Sequence, residues 1–75
     1  MPTLADISPG QSATILEVIG DDAIAVRLME MGLTDGETIR LIGAAPMGDP
    51  LEVSIRGYKL SLRKIEAARI NVAPT

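Results

Sequence analysis

Three aspartates are the residues whose chemistry and position first suggest a metal site. Asp21 and Asp22 lie side by side before an apolar run, and Asp49 lies between Gly48 and Pro50. Hard cations need several oxygen ligands, and the neighbouring sequence does not complete such a set. Asp21 or Asp22 instead stands where an N-cap is expected, because aspartate accepts hydrogen bonds from the free amides at the start of a helix. We predict a cap here and no metal ligand.

The sequence also lacks the residue types on which most catalytic sites depend. It contains no histidine and no cysteine, which removes the commonest metal ligand, the commonest general base and every thiolate. It contains no G-x-x-x-x-G-K-[ST] loop, so nucleotide chemistry would belong to a partner. We therefore predict no catalytic, cofactor-binding or metal-binding residue, and we expect the protein not to be an enzyme.

Positive charge is concentrated late in the sequence, although the formal net charge is -3. Apart from Arg27 and Arg40, every basic residue follows residue 55. Alternation along a strand places Lys59 and Arg63 away from the core. They form either a solvated face that protects a sheet edge or a docking surface for an acidic patch of a partner. Lys59 and Arg63 are therefore candidate partner-binding residues.

Four other residues are candidate partner contacts. Met29 falls off the apolar stripe of its helix, and a flexible thioether suits an adaptable surface, so we predict Met29 and Leu33 as part of an interface. Pro46 and Met47 belong to a stiff loop over residues 46–50 that can offer a preformed contact. The alternatives are that Leu33 is a core residue and that the loop is only a rigid turn.

The element that the sequence predicts most clearly is one short helix, which carries Met29. Ile24, Leu28 and Met31 share one helical face, which predicts that this face is buried. Gly32 follows the last of them. A left-handed residue there satisfies the final carbonyls of a helix, and glycine adopts that conformation without steric cost. The helix is therefore expected to end at Gly32.

Period-two alternation predicts five strands around this helix. They are expected over residues 13–19, from Glu37 past Leu41, over residues 51–55, over residues 58–62, and through Ile70 and Val72. The first of these is apolar at most positions, which predicts burial on much of both sides. Gly57 joins the third and fourth strands as an antiparallel hairpin, and residues 65–68 suit a single helical turn.

Together these elements predict a mainly β fold. Five short strands leave exposed edges unless the sheet curls, so we expect a small, partly open barrel of about five strands, with one short α-helix and one helical turn. Residues 1–75 are expected to form a single domain, because a chain of this length has little core to divide. An unpaired sheet edge in such a barrel would also allow weak self-association.

Composition restricts the classes of partner. Tyr58 is the only aromatic residue, whereas single-stranded nucleic acids and proline-rich peptides are usually held on aromatic platforms. No apolar run approaches the ~20 residues of a membrane span, and the first residues lack the features of a secretory signal. We therefore expect a cytoplasmic protein that binds no nucleic acid and does not insert into the membrane.

In combination, several short motifs resemble the FeoA family of small SH3-like proteins that accompany the bacterial ferrous iron permease FeoB. The motifs that carry the resemblance are Leu4 with Pro9-Gly10, Arg27-Leu28-Met29-Glu30-Met31-Gly32-Leu33 with Gly36, Ala45-Pro46-Met47-Gly48-Asp49-Pro50, and Leu60-Ser61-Leu62-Arg63 with Ala67, Ile70 and Val72. The resemblance covers nearly the whole chain. It implies an SH3-like barrel, a cytoplasmic location and association with the cytoplasmic side of a FeoB-type permease, and it brings no catalytic residue.

Two alternatives from other classes stay open at this stage. A related barrel forms the last domain of metal-dependent repressors, so the chain could be a regulatory barrel that works with a transcription factor. RNA binding by a small barrel is the second alternative, supported by the basic hairpin and opposed by the missing aromatic residues. We favour a non-enzymatic accessory that acts by protein contact with the permease.

Overall fold

The structure is a computed structural model that describes residues 2–75. In this range the chain forms one curled antiparallel sheet with two short helices and a 3-10 turn. The elements in chain order are the 3-10 turn Leu4–Asp6, β1 (Ser12–Val18), α1 (Ala23–Glu30), β2 (Thr38–Ala44), β3 (Leu51–Ile55), β4 (Tyr58–Leu62), α2 (Lys64–Ala67) and β5 (Ile70–Pro74). The prediction of a mainly β fold with five strands, one short helix and one helical turn is confirmed. The 3-10 turn was not predicted.

The five strands form a single sheet in the order β4-β3-β2-β1-β5, and every neighbouring pair is antiparallel. The sheet is not closed, so β4 and β5 are its two outer strands. The edge of β5 is partly covered, because the Val72 amide donates to the Pro2 carbonyl at 3.0 Å and Thr3 bridges to Asn71. The edge of β4 has no strand beside it within the described chain. The predicted partly open arrangement is therefore observed.

Strand β1 departs from its prediction, because it is buried on one face only. Ala13 and Ile15 are buried, whereas Leu16 and Glu17 are both exposed. The pairing of β1 with β5 shifts register between Ile15 and Glu17, so Leu16 is an extra residue in a β-bulge. Strict alternation would have directed the Glu17 carboxylate into the core. The bulge avoids that cost and leaves Leu16 on the surface.

Helix α1 lies with a different face against the sheet than its apolar spacing indicated. Asp22 is the N-cap, and its carboxylate accepts a hydrogen bond from the Ala25 amide at 3.1 Å. Ala25 and Leu28 are fully buried, but Ile24 is exposed. The prediction that Ile24 belongs to the buried stripe is wrong, because the small Ala25 side chain lets the helix approach the sheet along the Ala25 side.

The end of α1 is a Schellman motif, and the prediction for Gly32 is confirmed. Gly32 has a φ of +96°, and its amide donates to the Met29 carbonyl at 3.0 Å. The Leu33 amide reaches back to the Leu28 carbonyl at 3.2 Å. Leu28 and Leu33 are both fully buried, which supplies the hydrophobic contact that accompanies this motif.

Strands β3 and β4 form the predicted hairpin around a two-residue turn. Ile55 pairs with Tyr58, and the intervening Arg56 and Gly57 have φ values of +52° and +86°, as a type I′ turn requires. The inward face of β3 is fully covered, whereas on β4 Tyr58 is exposed and Leu60 is half-buried. This difference follows from the position of β4 at the edge of the sheet.

The core lies between the curled faces of the sheet. It is closed by α1, by the 3-10 turn Leu4–Asp6 and by α2. It is almost entirely aliphatic, as a chain with one tyrosine and no other aromatic residue requires. Its largest fully buried side chains are Leu4, Ile15, Leu28, Leu33, Ile39, Ile55, Leu62, Ile70, Val53 and Val72.

Candidate functional site

A charged cleft lies on one flank of α1, between the helix, the Pro50 segment and α2. Its volume is ≈ 400 Å³, and it is lined by Arg27, Met31, Pro50, Ser61, Arg63 and Glu66. The Glu66 carboxylate is mostly buried, forms an ion pair with Arg27, and accepts a hydrogen bond from the Arg63 amide at 2.9 Å. The Glu66 carboxylate is thus already paired within the chain. The Arg27 and Arg63 side chains are exposed to solvent.

The same flank of α1 is fixed at its C-terminal end by Tyr58. The Tyr58 hydroxyl donates a hydrogen bond of 2.6 Å to the Met31 carbonyl, one of the carbonyls that a helix end leaves unpaired. A side-chain carbon at Gly32 would lie 2.8 Å from this hydroxyl. A side chain at this position would therefore have to displace the Tyr58 hydroxyl, in addition to the strain of its positive φ.

A basic row crosses the outer face of the sheet. Arg40 of β2 pairs with Ser54 of β3, which in turn pairs with Lys59 of β4. Arg40 and Lys59 are exposed, and with Gly10, Ile42 and Ser54 they line a shallow depression. Strand register cannot be read from the sequence. The sequence therefore could not show that Arg40 lies in the same cross-strand row as Lys59.

An apolar groove lies on the other flank of α1, beside the bulged part of β1. It has a volume of ≈ 200 Å³ and is lined by Leu16, Glu17, Val18, Met29, Leu33, Thr34 and Asp35. Leu16 and Met29 are each 41% exposed, while Leu33 forms the buried base. Leu16 and Val18 were not predicted as surface residues. The bulge that turns Glu17 outward beside Leu16 depends on pairing with β5, for which the local sequence carries no signal.

An ion pair connects the start of α1 to the start of β5. Both guanidinium nitrogens of Arg69 donate to the Asp22 carboxylate, at 2.6 and 2.8 Å. These hydrogen bonds, with that from the Ala25 amide, lower the pKa of Asp22 from 3.8 to about 2. Asp22 therefore acts as both helix cap and ion-pair partner, which resolves the choice between Asp21 and Asp22.

The six predicted contact residues do not form one surface. Met29 lies in the groove, Lys59 in the basic row and Arg63 in the cleft. Met47, which is 92% exposed, and Pro46 lie on their own loop. Leu33 is fully buried, so the prediction that its side chain is a surface contact is wrong. The alternative that it belongs to the core is the correct one, because it is the last residue of the Schellman motif.

Several carboxylates of the described chain serve structure. Asp49 accepts a hydrogen bond from the Lys64 amide at 3.0 Å, which satisfies a free donor at the start of α2. Residues 2–75 contain no group of three or more acidic side chains placed to hold a metal ion. The arrangement therefore offers contact surfaces of distinct charge and polarity on one small sheet.

A curled sheet of five antiparallel strands with a helix between β1 and β2 defines the chain as an SH3-like domain. FeoA of Stenotrophomonas maltophilia, solved in complex with zinc and described as a prokaryotic SH3 domain protein, superimposes with a TM-score of 0.87 at 33% identity, covering 100% of this chain and 96% of that one. A manganese-dependent transcriptional repressor shares the fold at a TM-score of 0.89, with 17% identity and 99% and 36% of the two chains covered.

The FeoA domain family matches residues 3–74, and the chain belongs to this family. A relative in Porphyromonas gingivalis, a fusion of Fe(2+) transport protein A with the Fe(2+) transporter FeoB, is 38% identical over 69 residues. That alignment covers 92% of this chain but only 8% of the fusion protein. The resemblance drawn from the sequence motifs is therefore confirmed, and it associates the chain with ferrous iron transport.

Proposed function

We propose that the chain is a non-enzymatic accessory of ferrous iron uptake that works by contact with the cytoplasmic side of a FeoB-type permease. The observation that carries this proposal is the relative in which the same domain is fused to FeoB. Fusion of two proteins places them in permanent proximity, which raises the effective concentration of one for the other. A surface contact between the two proteins would provide the same proximity.

The basic row is the surface that best suits such a contact. Arg40 and Lys59 project from the outer face of β2 and β4 on a molecule whose formal net charge is -3, so the row is a local reversal of the overall field. Complementary charge steers association and selects among partners more than it adds affinity. Arg63, at the end of β4, extends this positive region toward the cleft.

In this proposal, the chain is connected to the membrane only through its contact with the permease. Within residues 2–75, no helix is long and apolar enough to cross a bilayer. Asp22, Asp49 and Glu66 are engaged with amides or arginines of the chain itself. We therefore assign the iron chemistry to the permease and a protein-contact role to this chain.

Binding to purified full-length permease tests the proposal directly. Reversal of Lys59 to glutamate is expected to weaken association at least several-fold at low ionic strength, with less effect at high salt, because exposed charges are screened within about 8 Å at physiological salt. Arg56→Glu is the matched control. It reverses one exposed charge in the same hairpin, but it lies outside the depression that contains Lys59.

Two results would contradict the proposal. Absence of binding between the wild-type chain and the permease would remove the accessory role itself. Equal binding by Lys59→Glu, Arg56→Glu and wild type would retain the role but reject the basic row as its surface. The repressor alternative is supported by a likeness of fold alone.

A further inference from the structure

The groove beside α1 is apolar inside and acidic at its rim. Leu16 and Met29 provide the exposed apolar surface, Val18 is half-buried beside them, and Glu17 and Asp35 provide the charge. No lysine or arginine is among its lining residues in the described chain. Its volume of ≈ 200 Å³ lies below the roughly 300–1,000 Å³ of small-molecule sites, so it suits one anchoring side chain. The matching ligand is an aliphatic side chain that has basic neighbours.

The chain itself presents such a side chain on α2. Ile65 is 74% exposed, and it directly follows the exposed Arg63 and Lys64. Met47 is more exposed, but its neighbours Pro46 and Gly48 carry no charge. Among the exposed aliphatic residues of the described chain, Ile65 is the one that directly follows two basic residues, and this charge complements the groove.

We propose that residues 63–65 of one copy dock into the groove of a second copy. Ile65 fills the space between Leu16 and Met29, while Arg63 and Lys64 lie against the acidic rim. This contact does not depend on the permease, and it stands or fails separately from the proposed function.

The positions of the two surfaces make the contact intermolecular. The ion pair between Arg27 and Glu66 holds α2 on the cleft flank of α1, whereas the groove lies on the flank that carries Met29. Ile65 therefore cannot reach the groove of its own copy while this ion pair is formed. Each copy has one of each surface, so the contact is head-to-tail and can continue from copy to copy.

The affinity is expected to be low. One aliphatic anchor and a few exposed charge pairs form an interface well below the roughly 800 Å² per partner of stable complexes. We expect a dissociation constant on the order of 1 mM, increasing as salt screens the charges. Such a contact matters where copies are concentrated by binding to a common surface.

A dilution series followed by NMR on the full chain is the first test. Between about 0.05 and about 2 mM, the signals of Leu16, Met29 and Ile65 are expected to shift together along a single binding curve. Leu16→Glu and Ile65→Glu should each abolish the shifts, and Met29→Glu provides a second groove variant on an exposed helical position. Met47→Glu, which alters an exposed apolar residue outside both surfaces, should leave them unchanged.

A mixing experiment separates this contact from other modes of association. Labelled Ile65→Glu retains the groove, and unlabelled Leu16→Glu retains the anchor. Each should be monomeric alone, but addition of the second to the first should shift the groove signals of the first and stop at a 1:1 complex. The reverse labelling should shift the signals around Ile65.

Several outcomes would overturn the proposal. Wild-type spectra that do not change with concentration would exclude the contact, as would shifts that survive both Leu16→Glu and Met29→Glu. Shifts centred on Lys59 and Ser61 would instead indicate pairing of two β4 edges. Groove shifts produced only by added permease would make a permease segment the occupant.

Discussion

The two flanks of α1 differ in how many of their groups are already paired by contacts within the chain. On the cleft flank, Glu66 is engaged by Arg27 and by the Arg63 amide, and Tyr58 binds the Met31 carbonyl. On the groove flank, aliphatic side chains stay half-exposed beneath an acidic rim. Internal hydrogen bonds fix the position of the helix on one flank, and the other flank keeps apolar surface exposed to solvent. Stability thus depends on one side of this short helix, and the contact that we propose uses the other.

The largest expected effect comes from Gly32, where the cleft flank closes on the helix end. Gly32→Ala is expected to lower the free energy of unfolding by about 2 kcal/mol, because it combines a positive φ with a clash against the Tyr58 hydroxyl. Thermal or urea unfolding measures the loss, and about 1 kcal/mol corresponds to roughly 4–8 °C for a domain of this size.

Gly36→Ala is the matched control for that change. Gly36 also has a positive φ, but a side-chain carbon there would meet no atom within 4 Å, so only the conformational cost of about 1 kcal/mol is expected. In a Tyr58→Phe background the cost of Gly32→Ala should fall toward that of Gly36→Ala. Equal costs in both backgrounds would contradict the role given to Tyr58.

Glu66 and Met29 test the comparison directly, one on each flank. Glu66→Ala is expected to cost about 1–2 kcal/mol, because it removes the acceptor of the Arg63 amide and the buried partner of Arg27. Met29→Ala is expected to change stability by less than about 0.5 kcal/mol, since Met29 is 41% exposed and lies outside the core. Equilibrium unfolding of both variants decides the matter, and a larger loss for Met29→Ala would reverse the assignment of the two flanks.

The last prediction concerns how the stability of the protein depends on pH through Asp22, at the N-terminal end of α1. Hydrogen bonds from Arg69 and from the Ala25 amide lower the pKa of Asp22 from 3.8 to about 2 in the folded protein. The contribution of this carboxylate is therefore complete above about pH 4 and is lost as the pH falls toward about 2. Unfolding midpoints of wild type and Asp22→Asn should differ at pH 5 and converge near pH 2, and a constant difference would contradict this assignment.

Local patterns in the sequence were sufficient for most of the fold. Alternation in β3 and the apolar positions Ile39 and Leu41 identified strands because a period of two is visible in a few residues. The end of α1 at Gly32 was predictable for the same reason, since a helix cap is a local structure. These signals needed no knowledge of which strand pairs with which.

The surfaces required information that a local pattern does not contain. The exposure of Glu17 beside Leu16 depends on the bulge against β5, and the proximity of Arg40 to Lys59 depends on the register of three strands. The burial of Leu33 depends on the geometry of the helix end. Met29, Pro46, Met47, Lys59 and Arg63 stay predictions as partner contacts, because a sequence shows which residues can face outward but not what they meet.

The strand order also has a consequence for how fast the protein folds. The hairpin of β3 and β4 closes a two-residue turn, whereas β1 must find β5 across nearly the whole chain, as in the pairing of Ala13 with Pro74. Contacts distant in sequence slow folding, because the entropy of closing the loop must be lost before the contact forms. We expect the hairpin to form early and the pairing of β1 with β5 to complete the domain, with folding on the millisecond to second scale rather than the microsecond scale of helical bundles.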